Sequence, residues 1–420
     1  MLEEKKKILI LGATSSEIST VERIQQMGMY AIVTDYHKEW QNSPAKYVAD
    51  EAWNISWSDI PTLKDKCIEC GIIAVIAGYS EFRVSSMIDL CETLHLPCYI
   101  NREQLEVTRD KLKFKNLCRQ FNIPAIHDYD PEDEIVFPVI IKPADRAGGI
   151  GINVAYNAEE YARFLDEALS LSPTKTVIVE DFINDGIKFD TAYYIEHGKS
   201  HLIETCDTIM LCREKGSEKV QNAWTYPSKY EKEYIEQVDP AVRQMLDSFD
   251  MTCGVANISF FYRNGSFYVF EAGFRLGGDY SFDYQRASGG VDYLDKLLEY
   301  AITGRCPETV IDIPDERGFA LTYIVYVESS SSGVIEEIKG LDTIRKQSGL
   351  ITFVPKKLKG DAVNKEDPFV FLICTWHAST INQIIDNVNE LNRVVRVRVN
   401  DTDFPVRFKL AEKDILERFN

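Results

Sequence analysis

The 420-residue chain has no run of about 18 apolar residues, the length that a membrane-spanning helix requires. Its opening stretch, MLEEKKKILILG, has a charged head and an apolar run too short for a secretory signal. These absences predict a cytoplasmic protein with no membrane partner. Positive charge is also scarce: 47 Lys and Arg stand against 66 Asp and Glu, a net charge of −19. That balance argues against a nucleic-acid partner, whose phosphates would be repelled. A bound anion would depend on local Lys, Arg or metal charge, each pair contributing roughly 4 kcal/mol at about 4 Å and an effective dielectric of about 20. The 10 cysteines provide no zinc set. Cys67-Ile-Glu-Cys70 lacks a second pair or a nearby His, and Cys91, Cys253 and Cys374 sit in apolar patterns and read as small core residues. No internal repeat and no low-complexity segment is present.

What remains is an ordinary globular composition, 45% hydrophobic and 27% charged, long enough for about two to four domains. Lys7 to Gly12 reads as a strand, Ser15 to Met27 as a helix ending at Gly28, and Tyr30 to Thr34 as a second strand closing on Asp35. Strand, helix and strand at this spacing predict a parallel βαβ unit. A dinucleotide reading is weakened because Gly12-Ala-Thr-Ser-Ser-Glu17 keeps only the first fingerprint glycine, although Asp35 lies near the ribose-acid position. A helix over Asp59 to Cys70, a strand over Ile72 to Ala77 and a helix from Glu81 to His95 complete an open α/β domain.

Further on, Phe137 to Val154 reads FPVIIKPADRAGGIGINV. An apolar strand ends in Lys142-Pro143, a loop with Gly148, Gly149 and Gly151 follows, and a second strand covers Ile150 to Ala155. Glycine lets the backbone approach a ligand closely, and successive backbone N–H groups can cradle phosphate oxygens. Lys142 adds charge at the loop mouth. The order is strand–loop–strand rather than the strand–loop–helix of a P-loop. Without a ligand, the same stretch is a hairpin with a glycine tip.

The segment Lys142-Pro-Ala-Asp-Arg-Ala-Gly148-Gly149-Ile-Gly151 resembles the phosphate-binding loop of the ATP-grasp superfamily, with Gly149 in place of its usual serine. Other segments resemble the same family. Asp110-Lys111 opens a basic helix, LKFKNLCRQF, that is similar to the family's linker, and the resemblance implies Lys111 as a phosphate ligand; otherwise Lys111, Lys113 and Lys115 form a solvated face. Glu180-Asp181-Phe182-Ile183 is similar to the hinge that contacts adenine. The ribose-binding acid of the family falls on Lys188 or Asp190, and of these only Asp190 can accept from hydroxyls. Val255 to Arg263, Asn264-Gly265 and Ser266 to Glu271 read as a hairpin with a type I′ turn. Glu271-Ala-Gly273-Phe-Arg275-Leu-Gly277-Gly278 after it resembles E-x-N-x-R-x-G-G, which implies Glu271 as a metal ligand and Arg275 as the catalytic cation. By the same analogy Gly12, Asp35 and Glu81 face the cleft. Gly333 to Gly340 resembles the small C-terminal subdomain of L-amino-acid-ligase-like and purine-pathway members.

Two positions depart from the pattern. Gly273 replaces the metal-binding asparagine, and Ser259 stands where a second acid is expected, with Asn257 on the same strand face. The remaining segments read as a helix over Ala158 to Leu169 opened by an Asn157–Glu160 capping box, strands over Thr176 to Val179, Ile187 to Ile195 and Leu202 to Leu211, a polar loop or lid over Arg213 to Pro227, and one long helix from a Ser228–Glu231 capping box to Asp250. The expectation is an α/β (α+β) fold: an open parallel domain over 1–105, an ATP-grasp core over 106–310 and a small α+β subdomain over 311–420. The resemblance implies a ligase using ATP and Mg²⁺ (or Mn²⁺), small-molecule carboxylate and amine substrates, an acyl-phosphate intermediate, and a homodimer. The rival readings are a catalytically weakened ATP-binding protein of the same fold and an NAD-dependent oxidoreductase.

Overall fold

The computed structural model describes residues 5–130, 132–146, 150–212, 219–308 and 317–419. Strands Glu51–Trp53, Tyr30–Thr34, Lys7–Leu11 and Ile72–Ile76 form, in that order, a wholly parallel sheet. Ile8 to Leu11 and Ala31 to Val33 are buried on both faces, as a parallel sheet under helices requires. Helix Ile60–Cys70 starts on Asp59, whose carboxylate accepts from the Thr62 N–H, and stops at Gly71 in the left-handed region.

The dinucleotide reading fails on sterics. Thr14 and Glu17 close a capping box, and buried Glu17 pairs with Arg83 at 2.5 Å. The Arg83 guanidinium lies 2.7 Å from where a Gly12 Cβ would stand, so the turn a pyrophosphate would need is already filled. Asp35 is buried and accepts from the His37 backbone N–H at 3.0 Å, which corrects the expectation that it faces the cleft. Cys67 is also buried, and burial pushes its thiol up to about 12, an inert core position.

The middle of the chain builds two layers that face each other. One is a three-stranded antiparallel sheet of Asn153–Ala155, Val139–Pro143 and Val177–Asp181, backed by helix Ala158–Leu171. The other is an eight-stranded sheet in the order Ser266–Gly273, Cys253–Arg263, Ile187–Glu196, Lys199–Cys212, Lys219–Tyr226, Phe319–Val327, Phe369–Ala378 and Leu350–Pro355. Asn264 and Gly265 both have positive φ, 51° and 79°, as the expected type I′ turn requires. The last three strands come from beyond residue 311, so the C-terminal part extends the central sheet. Only Ala362–Val363, Gly333–Lys339, Arg396–Val399 and Thr402–Pro405 form a separate small sheet.

Three expectations are corrected. The polar stretch after Arg213 is not a loop throughout: Lys219–Tyr226 is an internal strand, and residues 213–218 lie outside the described residues. The long helix is two, Glu231–Gln237 and Asp239–Asp247, because Pro240 lacks the N–H that a continuing helix would use. Ser228 does not cap the first of them; its hydroxyl donates to Asp207 at 2.6 Å, and Glu231 pairs with Arg317 and accepts from Thr205. Among the described residues no helix is long and apolar enough to cross a membrane.

Candidate active site

A cavity of about 210 Å³ opens between the three-stranded sheet and the hairpin. Strand alternation sends Val139 and Ile141 into the core against helix Ala158–Leu171 and leaves Ile140 and Lys142 facing the cavity. On the opposite wall Phe261 and Phe270 stack at 4.7 Å and 26°. A bulge explains this wall. Ser259 pairs with Glu271 but Phe260 pairs with Val269, so Phe270 is an extra residue in its strand. Without the bulge, Phe270 and Glu271 would point to opposite faces; with it, both line the cavity. Ile183 and Phe182 close the hinge side. The wall is thus a flat aromatic and aliphatic slot, a shape suited to a planar ring.

The charged end is built from Lys111, Lys142 and Glu271. The Lys111 Nζ donates to the Arg146 carbonyl at 2.6 Å; burial first, and the neighbouring Lys142 second, lower its pKa. Lys142 pairs with Glu180 at 2.7 Å, and Lys115 holds the other Glu180 oxygen at 2.5 Å. Glu180 is 1% exposed, so its carboxylate is committed to two ammonium groups. It lines the slot at the hinge, where the resemblance implied an acceptor for an amine. Lys115 is likewise no solvated residue: it is buried, donating to the Ile126 carbonyl at 3.0 Å and pairing with Asp128. At the hinge the Phe182 N–H donates to the Pro138 carbonyl at 3.2 Å, and the Asp181 carboxylate accepts from Tyr129 at 2.7 Å. Gly151 has φ +74°, and a Cβ there would meet Leu171 and Pro143 at 2.9 Å, so the loop needs glycine at this point. Gly148 and Gly149 lie outside the described residues.

Glu271 is the pivot of the site. It lines the first cavity, a second of about 180 Å³ and a third of about 260 Å³. It is exposed, and no hydrogen bond or ion pair engages its carboxylate among the described residues. Glu81 reaches the third cavity, as the analogy implied, with its pKa raised by burial against the opposing pull of Arg275. Arg275 stands in the second cavity, its Nε 3.8 Å from Glu81 and its Nη1 donating to the Leu276 carbonyl at 3.1 Å.

Asp190 is not where its implied ribose role requires. It lines the second cavity, accepts from Ser259 and from Thr208 at 2.6 Å, and pairs with Lys188 at 3.2 Å. Antiparallel pairing of Ile187–Glu196 with Cys253–Arg263 sets it opposite Ser259. Burial works against the Lys188 charge, and Asp190 more than offsets it, so the Lys188 pKa lies above the ordinary value. The sequence also pointed past several residues that line these cavities. Lys115 was marked by its spacing of four from Lys111 on one helix face. Phe261 was marked by alternation with Asn257 and Ser259. Glu204 carried no local signal.

A family model described as the D-ala D-ala ligase C-terminus matches residues 121–274. That span holds the three-stranded sheet, the hinge and the hairpin of the site just described. Over that span the chain is similar to an ATP-grasp family. Its fold is similar to the L-amino acid ligase from Bacillus licheniformis, with a TM-score of 0.75 at 16% identity over 95% of this chain and 100% of that one. It is similar to phosphoribosylglycinamide synthetase from Anaerococcus prevotii, with a TM-score of 0.71 at 18% identity over 94% of this chain and 100% of that one. Among curated sequences the chain is 22% identical to the C-terminal section of the carbamoyl phosphate synthase large chain from Methanocaldococcus jannaschii. That match spans 325 residues, 70% of this chain and 49% of the relative. The first curated relatives are matched over about half of their length or less.

Proposed function

We propose that the chain is an ATP-dependent ligase that joins a small-molecule carboxylate to an amine or a similar nucleophile. One observation carries the reading: the unengaged Glu271 carboxylate opens both to the slot with Lys111 and Lys142 and to the cavity with Arg275. A nucleotide base in the slot would place its phosphates toward the lysines, and an acceptor in the second cavity would meet them across Glu271. The biotin carboxylase domain of Hydrogenobacter thermophilus 2-oxoglutarate carboxylase, which has this fold at a TM-score of 0.73 and 15% identity, is complexed with MgADP and bicarbonate.

The residues present fit Mg²⁺. A hard cation of this size is held by one or two carboxylates plus substrate phosphates, and Glu271 supplies one. The bound ion would neutralise charge developing on the transferred phosphoryl group. Lys111 and Lys142 hold the phosphates in place. Arg275 stabilises the oxyanion of the tetrahedral intermediate. In the balance of the reaction, the γ-phosphoryl group moves to a carboxylate oxygen and ADP leaves. The nucleophile then attacks the acyl carbon, loses a proton, and phosphate departs.

Ser259 and Gly273 favour a second reading, an ATP-binding protein of the same fold with weakened catalysis. ADP release over a panel of carboxylates and amines separates the two. Acceptor-dependent release supports the ligase; ATP binding with no release above background across the panel supports the weakened binder.

A further inference from the structure

Away from the three cavities, four cysteines gather where the parallel domain packs on the start of the hairpin. Cys91 lies in helix Glu81–Leu94, Cys98 beyond its end, Cys253 at the head of strand Cys253–Arg263, and Cys306 after helix Tyr293–Thr303. Cys98, Cys253 and Cys306 all lie near the Tyr300 hydroxyl. The four form two pairs, and only one pair is built to react. Cys253 and Cys306 flank the Tyr194 hydroxyl, each sulfur 3.7 Å from it. Both are buried, and burial raises the Cys253 thiol. Thiolate rather than thiol is the nucleophile, so that pair is inert core.

The other pair differs in both exposure and acidity. Helix Glu81–Leu94 ends on His95 in the left-handed region, and the Leu96 N–H folds back onto the Cys91 carbonyl at 2.9 Å. The reversal returns Cys98 to Cys91, and the two thiols hydrogen-bond to each other. Cys91 is buried, whereas Cys98 is only half-buried. The hydrogen bond from Cys91, aided by the Ile100 N–H, holds the Cys98 thiol below its ordinary value against burial and the Glu92 charge. The same hydrogen bond, and then burial, push Cys91 up. An acidified, accessible thiol beside a buried, protonated one is the arrangement of an attacking and a resolving cysteine. Hydrogen-bonded sulfurs have only to close to about 2 Å to become a disulfide.

We propose that Cys91 and Cys98 form a dithiol that a hydroperoxide oxidises reversibly to a disulfide. The Cys98 thiolate attacks one peroxide oxygen and breaks the O–O bond. The departing oxygen takes up a proton, and Cys98 becomes a sulfenic acid. The Cys91 sulfur then attacks the Cys98 sulfur, and its proton leaves with the displaced hydroxide as water. In sum the two thiols lose two electrons and two protons, and hydrogen peroxide is reduced to two waters. A dithiol reductant reverses the change by exchange. The inference goes beyond the ligase reading and needs neither nucleotide nor metal.

The test treats the full chain, reduced and then freed of reductant, with hydrogen peroxide in the absence of denaturant. The chain is next unfolded in an alkylating reagent and mapped by peptide mass spectrometry. Cys91 and Cys98 should escape alkylation together, as one linked species two hydrogens lighter. They should do so at least about 10-fold faster than Cys253 or Cys306 is lost, because only thiolate reacts. Dithiothreitol should restore both. Cys91→Ser should stop at a Cys98 sulfenic acid that dimedone traps, and Cys98→Ser should leave Cys91 open to alkylation. Oxidation of Cys98 no faster than that of Cys253 or Cys306 would overturn the proposal. So would a Cys98 that ends as sulfinic acid or bonded to a cysteine other than Cys91. The unmutated chain decides each of these, whether or not the variants fold.

Discussion

Lys142 and Glu180 are diagonal neighbours on adjacent antiparallel strands, their charged groups 2.7 Å apart at the inner wall of the nucleotide slot. Lys115 holds the second carboxylate oxygen, so one buried acid orients two lysines. The pairing fixes where the Lys142 ammonium can go when an anion enters. It also keeps a charge in the slot that would otherwise be costly to bury.

This arrangement sets an expectation for nucleotide binding. ATP with Mg²⁺, binding only the folded state, should raise stability by about 2.7 kcal/mol at 100 times its dissociation constant. Lys142→Ala should remove most of that gain. It should lower the stability of the free protein by only about 1–3 kcal/mol, since Lys115 still pairs with Glu180. Denaturant titrations with and without the nucleotide measure both, and an unchanged gain in the variant would exclude Lys142 from the site.

Among the described residues no hydrogen bond or ion pair engages the Glu271 carboxylate. Glu271→Gln should therefore leave the melting temperature of the free protein within the range of a surface substitution, about 0.5 kcal/mol. The amide keeps the shape and one oxygen but loses the charge that attracts Mg²⁺. ADP release should fall by at least about 100-fold, the scale of losing a preorganised charge at the reacting group. Turnover at the parent rate would show that the cation is held elsewhere.

Gly273 and Ser259 test the missing ligands. A Cβ at Gly273 would meet the Arg275 and Glu81 side chains at 3.6 and 3.8 Å, ordinary contacts, so Gly273→Asn should fold and add a hard oxygen beside Glu271. Its Mg²⁺ affinity in the presence of ATP should rise. Ser259→Glu is a harsher version, because the new carboxylate would meet Asp190, to which Ser259 now donates. That variant should be destabilised without metal and recover when Mg²⁺ and ATP are added, as melting curves would record. No recovery would mean that the cation does not approach this part of the hairpin.

Burial, and then the neighbouring Asp279, push the Glu204 carboxyl up to about 8. Between the ordinary glutamate value near 4.3 and about 8, the folded protein binds the proton more tightly than the unfolded chain. The contribution is fully present below the unfolded pKa and is lost as the pH rises through that window. Stability of the free protein should fall between pH 5.5 and 8, with Glu204 supplying on the order of 1–3 kcal/mol of the decline. Glu204→Gln should flatten the slope. An equal slope in both proteins, measured by urea unfolding at the two pH values, would refute the assignment.

The sequence by itself determined whatever depends on near neighbours. The parallel βαβ start follows from apolar runs and their spacing. The hairpin follows from Asn264-Gly265 and strand alternation, whereas the bulge at Phe270 is what sets Ser259 opposite Glu271. What the tertiary structure decided was long-range. Lys219–Tyr226 reads as polar loop because it carries Gln221, Asn222 and Thr225, yet Asn222 and Thr225 are buried once it pairs with Phe319–Val327, which lies about a hundred residues further on. Asp190 looked like a ribose ligand until the sheet order carried it beside Ser259 and Thr208. Glu204 and Asp279 had no motif at all. They share a cavity only because one strand of the eight-stranded sheet and the loop after the hairpin pack together, and charge repulsion between such groups arises from distance in space, which spacing along the chain does not encode.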